Sequence, residues 1–169
     1  MLNYFHLFNV PQGYFVDAVA LRQSYQRLQA QYHPDRHVGA SLSEQHRILA
    51  LAADINAGWL CLNSPVARAG HLLALRGVDV TAAVMPLDED FLEQQITWRE
   101  RIAAATTLED LEALRVLLLK DRDDEGQSFA AALKREDIDA ARRHHAALQF
   151  FERLLEDLRQ QIDRLDEVG

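Results

Sequence analysis

The residue types best suited to chemistry lie at His33-Pro34-Asp35, where an imidazole and a carboxylate flank a proline. The imidazole donates or accepts hydrogen bonds, and the carboxylate accepts them and carries a negative charge. The proline ring fixes the local backbone and pushes the preceding residue out of the helical region. We therefore predict a rigid polar corner that docks on another protein. The tripeptide alone favours a simple helix stop, since short motifs match by chance.

Other combinations that resemble metal sites are incomplete. Asp121 and Asp123 start a pattern typical of a calcium loop, but Ala132 occupies the position that needs a bidentate Glu. His33 and His37 have the spacing of metal ligands on a helix, yet the proline between them breaks the helix that would align them. We therefore predict no metal site.

The remaining reactive side chains also point to no enzyme. Cys61 stands alone, which excludes an internal disulfide, and we expect it to be a small buried residue. His144 and His145 are neighbours that point in different directions on a helix, and we expect both at the surface. The chain has no Gly-rich phosphate loop and no Gly-x-Ser-x-Gly elbow. The sequence predicts neither catalysis nor a cofactor.

The elements that must position the corner are helices. Gly and Pro are scarce, and apolar residues recur mostly at spacings of three and four, which predicts an all-α chain. Asp17, Ser41 and Ser64 are suited to cap helices. The predicted helices span about residues 3–8, 17–33, 41–62, 64–75, 88–105, 107–133 and 137–167, with a loop over about 34–41.

The two halves of the chain differ in charge. Residues 1–76 carry six Arg against four Asp and Glu, a net of +2, whereas residues 77–169 have a net of −10. We expect one module over 1–76, a linker without helical period over 77–87 and a three-helix bundle over 88–169. Its last helix carries a seven-residue apolar seam formed by Leu148, Phe151, Leu155, Leu158, Ile162 and Leu165.

The composition limits the class of partner. Hydrophobic residues make up 49% and charged residues 26% of the 169, as in a protein with a folded core. The net charge of −8 argues against binding to nucleic acid or to an anionic lipid surface. No apolar run approaches the roughly 20 residues of a membrane span, and the first residues lack a signal pattern. We expect a cytoplasmic protein.

The first 76 residues resemble a J-domain in three ordered motifs. A start of the form Tyr-Phe-x-Leu-Phe-x-Val-Pro is followed by the His-Pro-Asp corner, and residues 53–69 resemble the third-helix signature of that family. Gly58 departs from the signature, where alanine is usual, and should cost this helix up to about 1 kcal/mol. The resemblance implies a helical hairpin with the corner at its tip and two short helices beside it.

The same resemblance implies a chaperone partner. In J-domain proteins the corner engages a DnaK-type chaperone and speeds its ATP hydrolysis, so the ATP and the catalytic residues belong to the partner. Basic residues of the second helix help to dock it, although here they are few and ordinary solvated arginines are the alternative. The implied chaperone-binding residues are His33, Pro34, Asp35, Arg22, Arg27 and Arg36.

The second half resembles a narrower family. No Gly/Phe-rich segment or Cys-x-x-Cys repeat follows the first module, and an acidic helical module with Phe-Leu-x-x-Gln-Ile-x-x-Arg-Glu over 91–100 takes its place. This architecture is similar to HscB-type co-chaperones of bacterial iron–sulfur cluster assembly, whose partners are an HscA-like chaperone and the scaffold protein IscU. The implied scaffold-binding residues are Leu92, Glu93, Ile96, Thr97, Glu100 and Phe150.

Helical spacing supports an exposed patch independently of the resemblance. One apolar stripe of this helix consists of Phe91, Trp98, Ile102 and Ala105. Leu92 and Ile96 lie on a second stripe, and one helix cannot turn both stripes into the same core. We therefore predict that Leu92 and Ile96 form an exposed apolar patch, which Phe150 joins because it falls off the seam. Packing of Leu92 and Ile96 against the first module or the linker is the alternative.

These features together predict a co-chaperone that is not an enzyme and holds a scaffold protein while its corner docks on a chaperone. A J-domain protein with a different client and a structural helical adaptor are the alternatives. A small metal-dependent enzyme would need a site that the sequence does not assemble. We expect a monomer, although the long seam is also compatible with a dimer.

Overall fold

The computed structural model describes residues 1–80 and 89–166, and the side chains of all of these except Asp90 and Asp166. Within these ranges the chain is helical and has no strand, which confirms the all-α prediction. It forms two compact units, Met1–Val78 and Asp79–Gly169. Most of the predicted linker lies outside the described residues. The α-helices are α1 Tyr4–Phe8, α2 Ala18–Tyr32, α3 Leu42–Asn63, α4 Pro65–Ala74, α5 Glu89–Ala104, α6 Leu108–Lys134 and α7 Ile138–Asp166.

The predicted caps begin the helices of the first unit. The Asp17 carboxylate accepts hydrogen bonds from the backbone N–H groups of the first turn of α2. The Ser41 hydroxyl accepts one from the first turn of α3, and the Ser64 hydroxyl does the same for α4. Each cap satisfies a donor that has no partner inside the helix, which stabilises the helix by about 1 kcal/mol. Gly77 ends the turn after α4 with φ +76, a conformation that favours glycine.

The core of the first unit forms where α1 crosses the hairpin of α2 and α3. The Tyr25 ring stacks on Trp59 with centroids 4.6 Å apart, which joins α2 to α3. A Cβ at Gly58 would lie 2.7 Å from Cε2 of Phe8 and 2.8 Å from Cδ1 of Tyr4. Glycine therefore allows the aromatic rings of α1 to contact the backbone of α3, which the helix-propensity argument could not reveal.

A buried histidine fastens α1 to α4. The His71 side chain is 7% exposed, and its Nε2 accepts a hydrogen bond of 3.2 Å from the backbone N–H of Tyr4. The His71 ring also stacks against Phe5. Burial lowers the pKa of His71, and an Nε2 that accepts a hydrogen bond requires a neutral ring. No pattern in the sequence predicted this contact.

The second unit is the predicted bundle of three helices. Its core includes Trp98 and Ile102 from α5, and Phe91 and Ala105 pack against it, as the first stripe predicts. Helix α6 continues through Gly126. The seam of α7 is wider than predicted because α5 and α6 both pack on it, so Leu154 is also buried. Leu165 is 41% exposed, which corrects its place in the seam, since it lies in the last turn of α7.

Two smaller expectations also change. His145 is only 7% exposed, so its expected surface position is wrong, because the broad buried face of α7 includes it. The neighbouring His144 is partly exposed and lies 2.7 Å from a carboxylate oxygen of Glu125 on α6.

Cys61 is half-buried; its thiol donates to the backbone oxygen of Ala67, and burial raises its pKa. Across residues 1–80 and 89–166, no helix is long and apolar enough to span a bilayer.

Candidate functional site

The His-Pro-Asp corner follows the last turn of α2. His33 has φ −67 and ψ 128, the extended conformation expected before a proline. Pro34 then starts a single 3₁₀ turn, Pro34–His37, where the sequence predicted only loop. The His33 Nδ1 accepts a hydrogen bond of 3.3 Å from the backbone N–H of Asp35. The backbone and one local hydrogen bond therefore set the orientation of the corner.

Both functional groups of the corner face water. The side chain of His33 is 56% exposed and that of Asp35 is 87% exposed. Their nearest polar atoms are 3.8 Å apart, and an ion pair this exposed contributes little energy. The imidazole Nε2 and the carboxylate therefore remain available to another protein, as the sequence predicted for a docking corner.

Residues on both sides brace the corner. The guanidinium of Arg36 donates to the backbone oxygen of Ala30, and the His37 ring lies 3.1 Å from the backbone oxygen of Gln31. These contacts join the 3₁₀ turn to the last turn of α2. Arg36 therefore carries a positive charge and also holds the 3₁₀ turn against α2. The sequence did not reveal the second role.

The loop after the 3₁₀ turn is held from α3. The amide of Gln45 donates hydrogen bonds of 2.9 Å to the backbone oxygens of Val38 and Ala40. Gln45 has no chemical signature in the sequence, and only the folded loop places two carbonyl groups near it. It fixes the loop that connects the corner to α3.

The basic residues of α2 do not form one narrow stripe. Arg22 and Arg27 are both exposed, but five residues on a helix correspond to a rotation of about 140°. Arg27 donates to the hydroxyl of Ser24, whereas Arg22 makes no ion pair with another described residue. The positive charge near the corner is therefore spread over two sides of α2.

The second predicted surface lies on α5. Leu92 is 46% exposed and Ile96 is 59% exposed, so the patch faces water as predicted from helical spacing. Glu93, Thr97 and Glu100 are exposed beside it. This arrangement gives an apolar centre with a polar and acidic edge, which is common for a protein-binding surface.

Phe150 does not belong to the exposed patch, which corrects the prediction made from its place beside the seam. Its side chain is 3% exposed and lies in the core of the second unit. Its ring meets the edges of Phe91 and Phe151, with centroids 5.6 Å apart in each case. Because α7 buries a broad face, a residue next to the seam is still covered. Phe150 thus supports α5 from beneath.

A second contact fixes the rotation of α5. The indole N–H of Trp98 donates a hydrogen bond of 3.2 Å to the Asp121 carboxylate on α6. On its other side, the guanidinium of Arg101 lies 4.8 Å from the centre of the Trp98 ring. Asp121 therefore anchors a buried indole from within a continuous helix. In the part of the chain that the structure describes, no cluster of three or more His, Cys, Asp or Glu side chains is placed to hold a metal ion.

A helical hairpin with an exposed His-Pro-Asp corner, followed by a bundle of three helices, defines a J-domain co-chaperone. Comparison with known proteins supports this class. The chain is 37% identical to a co-chaperone protein HscB homolog of Paraburkholderia phymatum over 97% of this chain and 96% of the other. A co-chaperone protein HscB homolog of Ralstonia nicotianae is 39% identical over the same shares of the two chains. The chain belongs to the HscB family of co-chaperones.

Family and structural comparisons extend over both units. Residues 87–159 match the family described as the HSCB C-terminal oligomerisation domain. Chaperone HscB from Vibrio cholerae superimposes with a TM-score of 0.84 at 27% identity, over 97% of this chain and 99% of that one. The human co-chaperone protein HscB gives a TM-score of 0.85 at 22% identity, over 95% and 82%, which shows the same fold.

Proposed function

We propose that this protein docks on a DnaK-type, HscA-like chaperone and stimulates its ATPase while delivering an IscU-like scaffold protein during iron–sulfur cluster assembly. The observation that carries this proposal is the exposure of His33 and Asp35 on a backbone-fixed corner. Membership of the HscB family supports the co-chaperone role. We further propose that the protein acts as a monomer in the cytoplasm, which light scattering and cell fractionation test.

The corner would act as a docking device without chemistry of its own. His33 and Asp35 offer a hydrogen-bonding ring and a negative charge, and Pro34 holds them in one geometry. Because the backbone of the corner is already restricted by Pro34, it loses little conformational entropy when the corner docks. Arg22 and Arg27 would steer the approach of an acidic chaperone surface. The ATP and the residues that hydrolyse it belong to the chaperone.

The scaffold would bind the α5 surface. Leu92 and Ile96 supply the apolar centre, and burying them against a partner would stabilise the complex through the hydrophobic effect. Glu93, Thr97 and Glu100 form the polar edge. Phe150 is buried, so we assign it a positioning role: it holds α5 in place.

Carrying both surfaces on one chain couples the two partners. A scaffold bound to the second unit meets the docked chaperone at a high effective concentration, because the encounter becomes intramolecular. ATP hydrolysis by the chaperone would then trap the scaffold. A J-domain protein that serves a different client would retain the corner and bind another protein on α5.

The chaperone half is tested by ATP turnover. The wild-type protein should accelerate hydrolysis by the HscA-like chaperone of the same organism, and His33→Gln should abolish the acceleration. His6→Gln is the matched control, since His6 is also exposed but lies on α1. Equal stimulation by wild type and His33→Gln, or none by wild type, would reject the chaperone half.

The scaffold half is tested by titration calorimetry with the IscU-like scaffold. Leu92→Ala combined with Ile96→Ala should weaken binding at least about tenfold, because buried apolar anchors dominate such interfaces. Val116→Ala with Leu117→Ala is the control, since these residues are exposed on α6. Wild-type affinity in the α5 double variant, or no binding by wild type, would contradict the scaffold half.

A further inference from the structure

An open cleft of about 380 Å³ lies between α5 and α7 within the second unit. Ile102, Phe150 and Leu154 contribute apolar walls. Three arginines also line it, Arg99 from α5 and Arg153 and Arg164 from α7. Asp157 is the one carboxylate among its lining residues, so the cleft carries an excess of two positive charges. The excess is local, because residues 77–169 have a net charge of −10.

The three arginines lack the carboxylate partners that Arg115, Arg122 and Arg159 have elsewhere on the bundle. Within residues 89–166, neither Arg99 nor Arg153 forms an ion pair, and Arg164 donates only to the backbone oxygen of Gln160. Asp157 lines the same cleft but pairs with none of them within 4.0 Å. Unpaired guanidinium groups beside apolar walls are well suited to bind carboxylates, because their planar forks match that geometry.

A second cleft, between α6 and α7, provides the contrast. Its lining includes Arg115, Arg122 and Arg159, and each of them forms an ion pair. Arg115 lies 3.0 Å from Glu112, and Arg159 lies 2.9 Å from Glu156. Hydrogen bonds from Arg159 lower the pKa of Glu156 to about 2. The same bundle therefore pairs the arginines of one cleft with its own carboxylates and leaves those of the other without an ion pair.

The unpaired cleft continues the apolar patch of α5. Arg99 lies three residues after Ile96 and seven after Leu92, so the three side chains share one side of the helix. Ala103, one turn further along, also lines the cleft. A protein that covers Leu92 and Ile96 and extends beyond them would therefore contact the three guanidinium groups.

We propose that this cleft binds an acidic segment of the scaffold protein, with its carboxylates on Arg99, Arg153 and Arg164. This inference rests on the proposed function and adds the chemistry of the client. The apolar patch anchors the scaffold, and the cleft selects clients that carry Asp or Glu beside the apolar contact. Glu93 and Glu100 lie on the opposite side of the patch, so the charges also fix the orientation of the client.

Charge reversal tests the proposal. Arg153→Glu combined with Arg164→Glu should weaken scaffold binding at least about tenfold at low salt, because attraction becomes repulsion. Raising the salt from about 0.05 to about 0.3 M should weaken wild-type binding but strengthen binding of the variant, because salt screens attraction and repulsion alike. Arg115→Glu with Arg159→Glu makes the same charge change in the other cleft and should stay within about twofold of wild type. Circular dichroism checks that both variants fold.

The outcomes separate this inference from the proposed function. If Leu92→Ala with Ile96→Ala loses binding while the Arg153 and Arg164 double variant binds like wild type, the cleft inference alone fails. An equal loss in both arginine double variants also overturns it, since the effect would then follow net charge and not position. If neither the leucine–isoleucine variant nor the cleft variant loses binding, the proposed function fails as well.

Cross-linking gives an independent measurement. The chain has only two lysines, Lys120 and Lys134, so a cross-link from an added lysine is easily assigned. In Arg153→Lys, a carbodiimide should join the amine introduced at position 153 to an Asp or Glu of the bound scaffold. Arg115→Lys is the control and should give no such product. A scaffold cross-link from position 115 and none from position 153 would overturn the proposal.

Discussion

The corner and the α5 surface are both exposed and both proposed to bind proteins, yet different forces hold them. A proline, a 3₁₀ turn and local hydrogen bonds shape the corner, whose functional side chains pack against little else. The α5 surface depends on a core beneath it, in which Phe150 and Trp98 fix the helix. Substitutions at the corner should therefore impair function without loss of stability. Substitutions in the core beneath α5 should impair both.

The largest effect is expected beneath the α5 surface. Phe150→Ala should lower the free energy of unfolding of the second unit by about 3–5 kcal/mol, because it leaves a cavity in a packed core. Scaffold binding should weaken with it. Urea unfolding followed by Trp98 fluorescence, with Trp59→Phe as the background, measures the change. Leu92→Ala, an exposed control, should cost less than about 1 kcal/mol. If Phe150→Ala costs no more stability than Leu92→Ala, the core does not stabilise the α5 surface.

A substitution at the base of the hairpin should reverse the usual helix preference. Gly58→Ala improves helix propensity by about 1 kcal/mol, but its methyl group would overlap the Phe8 and Tyr4 rings at a cost of about 1–3 kcal/mol. We expect a net destabilisation of about 1 kcal/mol, measured by urea unfolding with Trp59 fluorescence. Gly39→Ala is the control, since nothing lies within 4 Å of its added methyl. A more stable Gly58→Ala protein would show that α1 adjusts freely.

Acid should loosen α1 through His71. Burial lowers the pKa of folded His71 below the 6.5 of a free histidine, so protons bind the unfolded state more readily. The stabilisation is therefore complete above pH 6.5 and is lost as the pH falls toward the folded pKa. His71→Gln should reduce the fall in stability between about pH 7.5 and pH 5, whereas His6→Gln on the same unit should not. Unfolding followed by Trp59 fluorescence measures both, and identical pH profiles for wild type and His71→Gln would contradict this account.

The smallest change in stability is expected at the corner itself. His33→Gln and Asp35→Asn should each change the unfolding free energy by less than about 0.5 kcal/mol, because both side chains face water. Each should nevertheless remove stimulation of the chaperone ATPase. A clear loss of stability at the corner would mean that the His33 ring supports the fold, and would blur the contrast with Phe150.

Much of the fold could be predicted from the sequence because its signals are local. Spacing of apolar residues predicted the helices, and the caps at Asp17, Ser41 and Ser64 begin them as expected. The exposure of Leu92 and Ile96 also followed from spacing, since one stripe of α5 had to face the core. The roles of these residues in binding stay predictions.

Other features could not be predicted because they depend on what packs against what. Phe150 and His145 are buried because two helices cover α7 at once, and a single helix pattern cannot tell how many neighbours it has. The hydrogen bond from Tyr4 to His71 joins residues 67 positions apart. Gly58 looked like a weak point of α3 until the ring of Phe8 proved to fill the space of a side chain.

The sequence by itself determined the helices, their caps and the bend at Pro34, since backbone preference and hydrogen bonding within a few residues decide them. Tertiary structure alone decided which arginines remain without a carboxylate. Arg159 pairs with Glu156 and Asp163 along α7, whereas Arg153 has Asp157 one turn away on the same helix and forms no ion pair with it. Charge pairing depends on distance in space, which the order of residues along the chain does not fix.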